Sequence, residues 1–354
     1  MMIFYKIFFF TLVLYTDALN NDVNDNCILA DGDMGTCVEV SLCQDGESLH
    51  TQCTGFLEVC CKTNVPRESV PATEPIGCGY SKPGGDTSKA HSPVGYADSA
   101  EFPWMVALFF DKRNENNAAD SYIGGGTLIH PSVVMTVAHK VDHITTPKQL
   151  KCRAGVNNLS ADNDVNKHQE RDVSQIIIHK DFTRVYVHYD VALLILSSPF
   201  DLTNSPHIGL ACLELHMPPP GTVCFSMGWG QDYLRSTSNA NDLKKITLPL
   251  VDSVKCQNQY RNTRLGKSYK LHHTLMCAGG EANVDTCIGD GGSPLVCPIE
   301  SGDSVRYSVV GMVNYGLECG KENVPGVYVR VPAIYDWVVT QLAYLNLNYT
   351  TFSY

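Results

Sequence analysis

The chain has 354 residues, 44% of them hydrophobic and 18% charged, with 15 cysteines and a formal net charge of −11. That length suits one large domain, or a large one with a small satellite. The acidity excludes nucleic acid and anionic membrane surfaces as main partners. Many cysteines without paired Cys-x-x-Cys elements point to disulfides in an oxidising compartment, not to a cytosolic metal site.

Residues 1–18 read as a secretory signal peptide. Lys6 precedes a short apolar run over 7–15, and Thr16 and Ala18 supply the small residues a signal peptidase requires. No later stretch is apolar for long enough to cross a bilayer, so the mature protein is expected to be soluble, secreted and extracellular. Asn158 and Asn348 begin Asn-x-Ser/Thr sequons and are candidate glycosylation sites.

Six cysteines crowd into residues 27–61: Cys27, Cys37, Cys43, Cys53, Cys60 and Cys61. So short a segment buries little apolar surface, and crosslinks must supply its stability. Six cysteines allow about 15 pairings, and spacing does not choose among them. Adjacent Cys60 and Cys61 point to opposite faces of an extended segment, so they take different partners.

Residues 62–90 are rich in Pro, Ser, Thr and Gly and read as an exposed linker. Arg67, between Pro66 and Glu68, is either a cleavage site for a trypsin-like protease or an ordinary solvated arginine.

Beyond Glu101 short β-rich runs recur between turn residues: WMVALFF (104–110), GGGTLIH (124–130), VVMTVAH (133–139), VSQIIIH (173–179), DVALLIL (190–196), YSVVGMV (307–313) and GVYVRV (326–331). The pattern predicts an all-β fold of sandwich or barrel type. One helix is predicted near the end, with Ile334, Trp337, Val338, Leu342 and Leu345 on one face and Pro332 before its start.

Three segments carry chemistry. His139 ends an apolar strand, Asp190 opens another, and CIGDGGSPLVC (287–297) is a Gly-rich turn between two cysteines. Taken singly, the histidine and the aspartate are ordinary residues. Their order, and the words TVAHK, DVALL, CFSMGWG and VPGVYVRV, resemble the trypsin/chymotrypsin-like serine proteases over roughly residues 91–345. The cysteine-rich segment and its linker resemble a clip domain. Together they look like a clip-domain serine protease homologue, of the type that acts in arthropod prophenoloxidase cascades.

The resemblance implies two six-stranded antiparallel β-barrels with a C-terminal helix, after a small disulfide-knotted clip domain. It makes His139 the base and Asp190 its orienting acid, and puts Gly291 at the nucleophile position. Glycine has nothing to attack with, so the expectation is no enzymatic activity. Ser293 lies up to ~7 Å further along an extended chain, whereas proton transfer needs heavy atoms within about 3 Å. Asp285 stands where trypsin-like members keep the acid that receives Arg or Lys, with Gly316 and Gly326 as pocket-wall glycines. Asp285 is therefore either a docking acid for a partner's basic side chain or a relic.

The activation junction also departs from the family. Ala90, His91, Ser92 and Pro93 offer no ordinary tryptic site, so Asp290 is expected either to find another partner or to sit in an exposed, zymogen-like turn. Lys140 and Gly124 replace both halves of a common family disulfide. The pairs implied by resemblance are Cys78–Cys212, Cys224–Cys297, Cys256–Cys277 and Cys287–Cys319, and in the clip Cys27–Cys60, Cys37–Cys53 and Cys43–Cys61. Cys152 is left over, either free and buried or paired between chains.

The resemblance thus implies a non-catalytic cofactor or binding partner in a melanisation cascade, with cascade proteases or prophenoloxidase as partners and self-association after cleavage. A decoy that inhibits the cascade is the alternative; an active trypsin-like endopeptidase is the weaker one. No metal-ligand cluster or phosphate loop is present in the sequence, so no cofactor or metal is expected.

Overall fold

The computed structural model describes residues 26–28, 34–39, 58–62, 77–81, 94–111, 120–160, 167–231, 239–299 and 306–354. They fall into two compact units, Met1–Val70 and Pro71–Tyr354. The signal segment, Arg67 and residues 90–93 lie outside the described residues.

In the first unit β1 (Asn26–Ile28), β2 (Met34–Glu39) and β3 (Glu58–Lys62) form an antiparallel sheet in that order. Cys37 is opposite Cys60, and Thr36 opposite Cys61. Cys60 is buried and disulfide-bonded. The side chains of the other five clip cysteines lie outside the described residues, and with them the three clip pairings.

The second unit contains two barrels. The first comprises β4 (Met105–Phe110), β5 (Ser121–His130), β6 (Val133–Thr136), β7 (Leu150–Ala154), β8 (Gln169–Ile178) and β9 (Ala192–Leu196). It closes in the order β4-β5-β6-β9-β8-β7. Its inward positions carry Val106, Leu108, Leu128, Val134 and Leu194, all fully buried. Burying each such side chain contributes roughly 1.5–3 kcal/mol before entropy is charged against it.

The second barrel uses β11 (Val223–Gly228), β12 (Lys244–Val251), β13 (Leu275–Ala278), β14 (Pro294–Ile299), β15 (Arg306–Tyr315) and β16 (Gly326–Arg330). The β15–β16 pairing closes the ring, and β10 (Cys212–Leu213) adds to β15 in parallel outside it. Leu248, Leu250, Met276, Leu295, Val310 and Tyr328 fill its core.

Two helices follow from local signals. The Asp252 side chain accepts from Lys255 N at 2.9 Å and caps α1 (Ser253–Arg261), which turns Cys256 and Tyr260 inward. In α2 (Tyr335–Tyr344) the buried residues are Val338, Val339 and Leu342, with Ile334 just before it. Trp337 and Leu345 are only half-buried, which shifts the predicted stripe toward Val339. The packed chain also continues past Leu345: Tyr349 and Phe352 are buried, and Thr351 Oγ1 donates to Ile129 O at 2.9 Å.

Part of the expected linker is not exposed. Gly79 N donates to Leu210 O at 2.7 Å, Tyr307 N donates to Gly79 O at 2.8 Å, and Cys78 is joined to Cys212. The disulfides Cys224–Cys297, Cys256–Cys277 and Cys287–Cys319 are also present. Cys152 is free and fully buried on β7, so it is not available for a bond between chains.

Candidate functional site

The first barrel delivers a histidine and an aspartate to one point. After β6 the chain makes a 3-10 turn, Ala138–Lys140, which sets His139 at the barrel's rim. Asp190, wholly buried just before β9, accepts from His139 N through Oδ1 at 2.8 Å. Its Oδ2 is 2.7 Å from His139 Nδ1, and beside a carboxylate that nitrogen carries the proton. Nε2 is left facing the second barrel, in the arrangement a general base requires.

Facing it is the turn before β14. Gly125 N on β5 donates to Gly291 O at 3.0 Å. The approach is close: a Cβ on Gly124 would lie 2.6 Å from Gly291 O, and one on Gly125 would collide with Ser293 Oγ. Glycines in β5 are therefore required for the turn to dock.

A Cβ built on Gly291 itself would lie 3.6 Å from His139 Nε2, where a nucleophile would have to start. Ser293 does not face that space. It is fully buried against Gly125 and Gly228, and its Oγ has no hydrogen-bond partner among the described residues. His139, Asp190 and Gly291 are thus brought together, and Ser293 is set apart.

Two lysines complete the site, and the sequence reading missed the role of both. Lys140 Cε would be 2.6 Å from a Gly291 Cβ and its Nζ 3.5 Å, so the lysine chain lies across the space an added side chain would need. Burial lowers the Lys140 pKa, while Asp290 and Asp190 act in the opposite sense. The available signal was the joint loss of a side chain at 291 and of a disulfide cysteine at 140.

Lys244, at the start of β12, reaches Asp290. Its Nζ lies 2.8 Å from Asp290 Oδ2 and also donates to Gln231 O at 2.8 Å. Asp290 Oδ1 accepts from Gly230 N at 2.8 Å, and Oδ2 from Cys287 N at 2.9 Å. Both side chains are buried, so of the two expectations for Asp290 the structure has the new partner, not the exposed turn. The segment after the junction pairs alongside: Lys245 N donates to Gly95 O, and Ala97 N to Leu243 O, both at 2.9 Å.

Asp285 lies below this turn. Oδ2 accepts from Gly320 N at 3.2 Å, while Oδ1 is buried without a partner and would be 3.0 Å from a Cβ on Gly326. Burial raises its pKa from 3.8 to about 6. A Cβ on Gly316 would meet nothing within 4 Å, so that side of the site is open.

The segment before Asp190 is unusual. Val187 and Tyr189 adopt φ of +47° and +48°, and Asn314 Nδ2 donates to Val187 O at 3.1 Å. His188 stacks on His272 with ring centroids 3.9 Å apart, and Tyr189 stacks on His179 at 4.6 Å. Among the described residues no three His, Cys, Asp or Glu side chains gather as a metal site. Both sequons are at the surface: Asn348 is exposed, whereas Asn158 is half-buried with its Nδ2 2.6 Å from Asp242 Oδ1.

The family model for trypsin matches residues 95–338. The chain is 42% identical over 272 residues to phenoloxidase-activating factor 2 of Galleria mellonella, covering 73% of this chain and 86% of that protein. It is 37% identical over 296 residues to inactive CLIP domain-containing serine protease A8 of Anopheles gambiae, covering 81% and 78%. Inactive CLIP domain-containing serine protease A28 of the same species is 35% identical over 315 residues, covering 84% and 80%.

Proposed function

Given that the chain belongs to the trypsin family, as a clip-domain serine protease homologue, we propose that it is a secreted, non-catalytic cofactor in an extracellular proteolytic cascade leading to prophenoloxidase activation. The observation that carries this is Gly291. His139 Nε2 faces the space above it with its partner Asp190 in order, and no hydroxyl is there to be activated. Ser293 is buried elsewhere. Inactivity in the relatives' names and the phenoloxidase-activating name of one support the same reading.

The scaffold is retained for binding. Asp285 receives a basic side chain from a cascade protease or from prophenoloxidase, with Gly316 and Gly326 leaving room for it. Cleavage at Arg67 releases the clip domain for assembly, including self-association. Secretion follows from the signal-like segment 1–18 and suits the disulfides, with glycans at Asn158 and Asn348.

The test is a reconstituted prophenoloxidase assay with and without the protein. Acceleration that survives His139→Ala supports a non-catalytic cofactor. Suppression makes the protein a decoy, and loss of acceleration in His139→Ala makes it an enzyme. Incubation with a trypsin-like clip protease reads the Arg67 step, and an intact chain or a cut elsewhere removes that step.

A further inference from the structure

The second barrel holds a cavity of about 230 Å³ that shares no lining residue with the site described above. One wall is the run MPPPG (217–221), whose three prolines fix the backbone and donate no N–H. That wall is tied down: Gly221 N donates to Leu250 O at 2.8 Å, and Thr222 Oγ1 to Pro219 O at 2.8 Å. Leu250 and Met276, each 4% exposed, supply an apolar floor, and Met217 packs against the same core. Pro219 and Pro220 are exposed and form the lip.

One cationic group completes the lining. Arg330 is the last residue of β16, and its backbone N donates to Thr274 O at 2.8 Å. The residue is half-buried, and its Nε is buried with no acceptor among the described residues. A guanidinium donor kept from water without a partner is costly, and its planar fork matches a carboxylate. Asp252, the carboxylate in the lining, is not that partner. Its Oδ1 accepts from Lys255 N to cap α1, and Arg330 Nε stays unpaired beside it.

We propose that this cavity binds a small monocarboxylate with a compact apolar body, of the arylacetic or short branched-chain type. Arg330 donates to the carboxylate, and Met217, Leu250 and Met276 cover the body. The volume lies below the ~300 Å³ at which drug-sized sites begin, so the body is one ring or a short chain. Asp252 sets the charge of the ligand. Its carboxylate opposes a second negative charge nearby, which disfavours phosphate and dicarboxylates. The occupant is the free acid and not a chain terminus, whose backbone would have to follow its carboxylate into so small a volume. This site is independent of Asp285 and takes the opposite sign of charge.

The experiment is a fluorine NMR titration of the full chain with para-fluorophenylacetate and with the matching amide. The acid is expected to bind at least about tenfold tighter, the range of one charge-assisted hydrogen bond. Arg330→Gln should remove that preference and leave amide binding unchanged. Asp252→Asn keeps the helix cap and should tighten the acid. Met217→Trp, at a half-buried position, should fill the cavity and abolish binding of both. Equal affinity for acid and amide in the unaltered protein overturns the assignment, as does a preference that survives Arg330→Gln or absence of binding by both. Tighter binding by a peptide ending in phenylalanine free acid than by the small acid, lost in Arg330→Gln, overturns the small acid as occupant.

Discussion

Lys244 Nζ lies 2.8 Å from Asp290 Oδ2, with side-chain exposures of 5% and 0%. In the family the partner of this acid is an amino terminus made by cleavage; here it is a lysine built into the chain. Such a pair keeps the turn 287–293 ordered without any cut. Removing one member leaves a buried, uncompensated charge, whose cost is about 3–5 kcal/mol. Lys244→Met should lower unfolding stability by that amount in a denaturant titration, and the double variant Lys244→Met, Asp290→Asn should recover part of it. A loss under about 1 kcal/mol, the size of an exposed pair, would contradict the buried coupling.

Restoring the hydroxyl is not expected to restore an enzyme. In Gly291→Ser the new Cβ starts 2.6 Å from Lys140 Cε, so the lysine chain has to move before the serine can face His139. Misplacement of a nucleophile by ~1 Å can cost about 100-fold in rate. Gly291→Ser alone should show trace hydrolysis of an arginyl reporter substrate, and adding Lys140→Ala should raise it about 10–100-fold. Equal rates in the two variants would show that Lys140 does not obstruct the site.

Asp285 gives the site a pH dependence. Burial raises its pKa from 3.8 to about 6, so between those values the native state holds a proton that the unfolded chain releases. Its contribution to stability therefore grows as pH falls from about 6 toward 3.8, the reverse of a salt-bridged aspartate. A cation needs the ionised form, so binding of a benzamidine-type probe should weaken by about tenfold per pH unit below that pKa. Fluorescence titration should show that fall in the unaltered protein and weak, flat binding in Asp285→Asn. A flat profile in the unaltered protein would place the cation elsewhere.

Cys152 should be inert. It is fully buried on β7, and burial, with Glu170 adding to it, pushes its thiol pKa far up. A maleimide should leave Cys152 unlabelled in the native protein and label it after denaturation without reductant, as read by peptide mapping. Native labelling, or a Cys152-linked dimer on a non-reducing gel, would contradict the burial.

The barrels were legible where strands are long and apolar, and less so elsewhere. All seven β-rich runs named from the sequence lie on strands, and six of them match β4, β5, β6, β8, β9 and β16 to within a few residues while the seventh lies within β15. β10 and β13 are two and four residues long, too short for a period to show. β12 begins with Lys244 and Lys245 and contains Pro249, so it reads as a solvated segment. Helix α1 was missed because it buries only Cys256 and Tyr260.

At the site, His139, Asp190 and Gly291 were readable from their words. The two lysines were not. Lys244 meets Asp290 across 46 residues, and a lysine in a strand carries no local sign that its charge is buried and paired. Lys140 was visible only as a missing cysteine, because its path over Gly291 is set by the docking of one barrel on the other.

The central claim is that this fold has no nucleophile to offer. The most direct measurement is labelling of the purified, folded protein with a serine-directed fluorophosphonate, read by intact mass and peptide mapping beside an active trypsin. No adduct is expected at any serine, because Gly291 has no side chain and Ser293 Oγ is buried. A stoichiometric adduct on Ser293 would contradict the account.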